Sequence, residues 1–466
     1  MRKLVRTLAL PALLVLLVAG GSAVARPCDG SLAGDWTSDG YGQFLRITEK
    51  DAVASLELFE ITACSCLPRF HAHRTSAPGE SPAMFKLDAA PATIPFELDA
   101  KGDLRMQSPG AASFIRWRRA KEPPPAFGHE VASDPVSCFE VFWHTFAEQY
   151  GFFALRKIDW QRVHEEFRPK VTAATTPAQL FDLFQAMLEP LHDAHVSMRA
   201  PDLQRQWGSR RPEARIPTDE EFDRGFAMID REYVDGALTA GCNGRVRFGR
   251  LRGSLAYVRI EAFGGYSPFG GFDATRKELA RTLELATAQA AGCDALVIDV
   301  RRNGGGSDTL GLDVAARLTE RDYVGFVKRA RSDPLDPTRW TEPQTSIVRP
   351  AAGARFLGPV FLLTSSSSVS AAETFTMATL GREPKVVRVG EATQGVYSDV
   401  LERHLPNGWS VGLPNEIFLT EAGESFEMRG VPPDHVIPTF APADLEAGKD
   451  AALERVFELL DDARDR

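Results

Sequence analysis

The spacing of apolar positions changes along this chain, and each change marks a different kind of structure. Residues 27 to about 120 hold short alternating stretches, GDWTSDGYGQFLRIT, ASLELFEITAC, FELDAKGDLRMQ and SFIRWRR, separated by turn residues. A period of two predicts half-buried strands, so 26–120 reads as a small antiparallel β domain, a barrel or a sandwich. KEPPPAFG, within 121–132, reads as a linker, because prolines at that density deny regular structure. From Ser133 to Pro190 the spacing turns to three and four. CFEVFWHTFAEQYGFF and TTPAQLFDLFQAMLEPL predict helices, with Thr176-Pro177 as a helix start, and 133–205 forms a helical region. The aromatic residues there belong to a core. From Arg199 to about Asn243 the chain is rich in proline and charge and yields no clear element.

Near Gly244 a third pattern begins. RVRFGRLRGSLAYVRIEAF offers two strands, DATRKELARTLELATAQAA a helix, and CDALVIDVRRNGGGSD a buried strand that runs into a glycine turn. The helix TLGLDVAARL, strand PVFLLTS, helix AAETFTMATL and strand KVVRVG follow. Strands alternating with helices predict an α/β core with a mixed, largely parallel sheet over 206–440. Asn407-Gly408 in LPNGWSVGL signals a hairpin, and 441–466 reads as an amphipathic closing helix.

Composition narrows the class. With 466 residues and 44% hydrophobic content, the chain can bury a sizeable core. Residues 1–25 read as a secretory signal, with Arg2, Lys3 and Arg6 before an apolar centre and Ala23-Val24-Ala25 as the cleavage site. The expected destination is the periplasm or the exterior, with no membrane span in the mature chain. A formal net charge of −9, more negative once the leader's basic residues are gone, argues against nucleic acid as a partner. Six cysteines permit disulfides, but their pairing is not readable from sequence. Cys64 and Cys66 with His71 and His73 allow a zinc reading if one strand face carries all four, although a disulfide or a plain strand face fits the spacing better.

Candidate chemistry gathers where strands end. In Pro359–Glu373, PVFLLTSSSSVSAAE, a buried strand breaks into small polar residues and restarts as a helix. A serine at that turn is held clear of its sheet, beside the free N–H groups of the helix start. Asp299 to Gly306, DVRRNGGG, lets the backbone turn sharply and bring N–H groups to an oxyanion or a phosphate. The phosphate reading lacks the GK[ST] ending. His192 and His195 flank Asp193 at a helix end, where an imidazole can serve as a base. Glu427, with Glu424 and Glu421 nearby, can orient such an imidazole. Taken singly, these are a helix cap, a tight turn, a helix-end histidine and a loop carboxylate.

In their order and spacing these segments resemble the S41 peptidase family, the tail-specific processing proteases and their tricorn-like relatives. The motifs are YGFF…IDW…FRPK…LFDLFQAMLEPLHDAHV, DVRRNGGG, SVSAAE and GEATQGVYSD…LPNGW…FEMRGVPPD, from about Cys138 to the C-terminus. The resemblance implies an αβ catalytic core of mixed sheet and flanking helices, capped by the helical region and preceded by the β domain. It places the nucleophile on Ser370, with Ser368 as nearest rival. The lysine that one branch carries after G-E-x-T-x-G is replaced here by Val396. That departure implies the branch in which His195 and Glu427 complete the site, with Glu424 the alternative acid. Ala194 stands where some relatives carry a serine, which implies a triad and not a tetrad. Gly305, Gly306 and Ala371 correspond to the oxyanion hole. The interval from Arg199 to Asn243 is too short for a typical PDZ module. The implied activity is exported serine endopeptidase, acting on a protein or peptide substrate without metal or cofactor, and some relatives form a homo-oligomer. A scaffold that holds peptides without cutting them, or a hydrolase of non-peptide esters or amides, is the alternative.

Overall fold

A computed structural model describes residues 31–464 apart from 51–52, 210 and 212–214. The expected leader and Cys28 lie outside the described residues. Eight antiparallel strands, from Gly34–Ser38 to Ile115–Arg119, close into a barrel as the first pairs with the last, Trp36 opposite Arg119. Closure leaves no free edge, and Trp36, Phe85, Phe96 and Trp117 fill the interior. The alternating stretches do mark strands, and two more, Ser65–Arg74 and Ala83–Leu87, complete the ring. A bulge between Pro68 and Phe70 keeps Cys66, opposite Ile61, on the strand face of His71, opposite Glu57, yet the side chains part by burial and partner. Cys66 is buried, while His71 and His73 are exposed and pair with Glu57 and Asp88. Among the described residues no cluster of metal-ligating side chains forms.

The helical region runs through Pro135–Gln149, Trp160–Phe167 and Pro177–Leu188. Asp134 caps the first helix, and Thr176 with Gln179 forms a capping box on the last. Their apolar faces meet in one cluster, where Phe142 stacks on Phe184 with ring centroids 3.9 Å apart. A four-stranded antiparallel sheet closes this cluster, in the order Arg205–Gly208, Ser197–Ala200, Ser410–Pro414, Val400–His404. The strand that follows His195 is therefore paired to the Asn407-Gly408 hairpin, more than two hundred residues later in the chain.

The core is a seven-stranded sheet, in the order Thr239–Gly241, Val246–Leu251, Leu255–Ile260, Ala295–Asp299, Val360–Thr364, Val387–Gly390, His435–Val436. It is antiparallel up to Leu255–Ile260 and parallel beyond. Helices Gly271–Ala290, Asp308–Ala315 and Ala371–Ala378 pack on one face. Asp219–Glu232 and Ala451–Arg464 cover the other. Asp219–Glu232 lies in the stretch that periodicity left unassigned, and its capping box, Thr218 with Glu221, was the local signal for it. A separate sheet, Gln344–Val348, Tyr323–Ala330 and Glu416–Leu419, has no counterpart in the sequence reading. No helix among the described residues is long and apolar enough to cross a membrane.

Ala295–Asp299 and Val360–Thr364 are parallel neighbours with Asp299 opposite Leu363, so the turns after them emerge side by side. In open α/β sheets that carboxyl end is where ligands bind. Nearby, Gly395 and Gly430 let two further segments touch main chain to main chain: an ideal Cβ on Gly430 would lie 1.9 Å from the Thr393 carbonyl oxygen, at φ +72°. Gly430→Ala should therefore cost roughly 3 kcal/mol or more, against about 1 kcal/mol for Gly408→Ala, whose φ of +82° is strained but whose surroundings are open. The midpoints of denaturant unfolding for the two variants check this difference.

Candidate active site

Ser370 precedes the helix Ala371–Ala378 with φ 57° and ψ −119°, a main-chain conformation that a side-chain-bearing residue rarely adopts. The Ala371 N–H, first in the helix, has no acceptor among the described residues. Against this turn lies the glycine turn. An ideal Cβ on Gly305 would stand 2.7 Å from Ser370 Cβ and 2.8 Å from the Val369 oxygen. Asn303 clamps the two together: its carbonyl accepts the Val369 N–H at 2.9 Å, its Oδ1 accepts the Gly305 N–H at 2.9 Å, and its Nδ2 donates to the Ile260 carbonyl at 3.0 Å. The Gly305 N–H is thus engaged. Phe263 bonds to the Gly305 carbonyl and to the Ser307 N–H, both at 2.8 Å, which turns the Gly306 N–H to the other side. Ser368 is fully buried, and its hydroxyl donates to the Val300 carbonyl at 2.8 Å.

His195 comes from the helical region. Asp193, two residues earlier, is fully buried; its Oδ1 accepts the His195 N–H at 3.0 Å and its Oδ2 the Tyr150 hydroxyl at 2.8 Å. Arg156, only 4% exposed, reaches Asp193 at 2.9 Å and Glu427 Oε1 at 3.5 Å, and donates to the carbonyls of Leu191 and His192. One buried cation therefore spans the histidine turn and the Glu427 segment. Glu427 also accepts the Tyr397 N–H at 3.3 Å. Burial, with Asp193 adding to it, pushes the Glu427 carboxyl well above the usual carboxylate range against the pull of Arg156. Burial likewise lowers the His195 imidazole, while Asp193, Asp399 and the Ser398 main chain pull it upward. His195 Nδ1 and Glu427 Oε1 are both buried without a hydrogen-bond partner. No hydrogen bond joins Ser370, His195 and Glu427 in this structure. Glu424 pairs with Arg429 on the surface, and His192 is exposed with φ 48°.

The profile of peptidase family S41 matches residues 254–437, and that of the tricorn protease C1 domain matches residues 135–189. The chain belongs to the S41 peptidase family. Among solved structures, a protein of Parabacteroides merdae assigned as a peptidase is similar at 26% identity and a TM-score of 0.60, over 71% of this chain and 97% of that one. The structure of mature CPAF complexed with lactacystin shares the fold at 12% identity and a TM-score of 0.50, over 71% of this chain and 98% of that one. No curated protein sequence matches the chain.

The site of this S41 peptidase includes residues that sequence reasoning passed over. Glu373, three after Ser370, is fully buried and accepts N–H groups from Ser370 at 3.2 Å, Gly395 at 2.6 Å and Val396 at 2.8 Å. It ties the GEATQG segment to the serine turn; burial pushes its carboxyl up to about 7 while those N–H groups pull it down. Asp193 belongs to the LEPLHDAHV motif and Arg156 falls between YGFF and IDW, and nothing local to either signals a buried ion pair. Asp308, in the first turn after the glycines, is pushed up to about 7 by burial and then by Asp399.

Two outcomes follow from these charges. Arg156→Leu leaves Asp193 and Glu427 buried without their cation and should cost about 3–5 kcal/mol, seen in equilibrium unfolding. Asp308 keeps its proton in the folded chain between its ordinary 3.8 and about 7, where the unfolded chain has lost it. Stability should fall as pH rises through that window, and Asp308→Asn should flatten the slope of unfolding free energy against pH.

Proposed function

We propose that the chain is an exported serine endopeptidase that cuts protein or peptide substrates through an acyl-enzyme. Ser370 is the nucleophile, His195 the general base, and Glu427 the carboxylate that stabilises the charged imidazole. The observation that carries this reading is the main chain at Ser370. A helix cap does not need φ 57° and ψ −119°, whereas a serine lifted beside a free helix N–H does.

As Ser370 Oγ forms its bond to the substrate carbonyl carbon, the hydroxyl proton passes to His195, which burial keeps neutral and ready to receive it. The developing oxyanion lies between the Ala371 and Gly306 N–H groups, and Gly305 supplies the close approach that only a glycine allows there. His195 then gives the proton to the departing amine. Water repeats the sequence on the ester, releasing the carboxylate product and free Ser370. None of these steps calls on a metal or cofactor. Neither His195 Nδ1 nor Glu427 Oε1 is hydrogen-bonded at rest, and we assign the bond between them to substrate binding. The reading of residues 1–25 as a leader supports export to the periplasm or beyond. The unmade bond also favours a second reading, a scaffold that holds peptides without cutting them.

Incubation of residues 26–466 with an unfolded protein, products read by mass spectrometry, separates the two. Cleavage is expected, and Ser370→Ala and His195→Ala should each lower kcat by about 10⁴-fold or more, because the pair acts as a unit. Retention of the protein without cleavage would establish the scaffold. The acid limb of kcat/KM should lie below the ordinary histidine value of 6.5, since burial lowers the imidazole.

A further inference from the structure

We propose that the cleft where the barrel meets the core is a substrate side-chain pocket selective for lysine or arginine. This assignment rests on the peptidase reading above and adds the chemistry of the bound residue.

The cleft, about 260 Å³, has one wall from the barrel, with Ser108, Ala111 and Phe114, and the other from the core, with Lys328, Asp399 and Asn415. Both walls are tied to the catalytic turns. On the barrel side, the Gly110 carbonyl accepts the hydroxyls of Ser307 at 2.6 Å and Thr309 at 3.0 Å, directly after Gly306. On the core side, Asp399 follows the segment whose Gly395 and Val396 N–H groups bind Glu373 and whose Tyr397 N–H binds Glu427. A residue seated here therefore lies against segments bonded to the turn after the glycines and to Glu373 and Glu427.

The charge of the cleft favours a cation. Its charged lining residues are Lys328, Asp399 and Glu416, so one negative charge stays uncompensated. Lys328 is 4% exposed and already paired with Asp399 at 2.6 Å and Glu416 at 3.0 Å, which offsets its charge. Glu416, 2% exposed, is further held by the Tyr41 hydroxyl at 2.6 Å. Asp399 is 56% exposed and is the carboxylate open to a ligand. Phe114, Ala111 and Val400 offer apolar walls to the stem of a long side chain. Asn415, 1% exposed, lines the cleft with Nδ2 unpartnered, a donor that a substrate carbonyl would satisfy.

The test measures binding apart from cleavage. Fluorescent peptides that differ at one residue, arginine, lysine, norleucine or glutamate, are titrated by anisotropy against Ser370→Ala, alone and combined with Asp399→Asn. The arginine and lysine peptides should bind about tenfold tighter than norleucine, with glutamate weakest, and Asp399→Asn should remove most of that gap. Ser108→Lys, on the exposed barrel wall, should narrow the gap without touching the Lys328 cluster, which covers the case in which Asp399→Asn fails to fold. Equal binding of all four peptides, or a cationic preference that survives both substitutions, overturns the pocket. Preference without cleavage by the wild type would instead overturn the peptidase mechanism and leave the pocket standing.

Discussion

Ser370 and Gly305 stand in contact only because position 305 has no side chain. The parallel pairing of Ala295–Asp299 with Val360–Thr364 brings the two turns out side by side, and the missing Cβ lets them close to van der Waals distance. Asn303 fixes that approach by three hydrogen bonds, one to each turn and one back to the sheet. Behind it, Arg301 lies fully enclosed between Asp299 and Asp450, the latter also capping the closing helix through the Ala452 and Leu453 N–H groups. The DVRRNGGG segment is therefore held at its start by buried charge and at its glycine end by main-chain bonds to Phe263. A turn so constrained can keep N–H groups aimed at a reacting oxygen with little reorganisation.

The second turn depends on a different device. Glu373 spends its carboxylate on three main-chain N–H groups and thereby wraps residues 395 and 396 around the serine. That wrap brings Tyr397 to Glu427, and Glu427 to Arg156, so the helical region meets the core through one buried guanidinium. Buried ion clusters of this kind contribute little net stability, yet they are intolerant of losing one member, which suits them to fixing relative position. The orphaned His195 Nδ1 at the edge of the cluster fits an arrangement set in place by its scaffold and completed by its ligand.

The β barrel is built into this arrangement. Its Gly110 carbonyl grips the first turn after the glycines, its Tyr41 hydroxyl enters the Lys328 cluster, and its Glu60 holds the His404 N–H on the central hairpin. A domain that alternation describes as self-contained thus contributes a wall to a cleft whose other wall is the core.

The local pattern determined which elements form. Strand and helix periods, the strand-to-helix break before Ser370, the glycine run and the Asn407-Gly408 turn are all short-range properties, and the corresponding elements appear where the spacing puts them. The Thr218–Glu221 box was equally local and legible, and weak apolar periodicity around it hid the helix. Tertiary structure alone decided what those elements bring together. Lys328 sits on a strand with no marked pattern and Arg156 ends a one-turn helix; neither differs locally from a solvated charge. Their partners lie tens to hundreds of residues away, and they are buried because the packing of barrel, helices and sheet removes water from them. Spacing along a chain records a residue's own face and says nothing of the face it will meet.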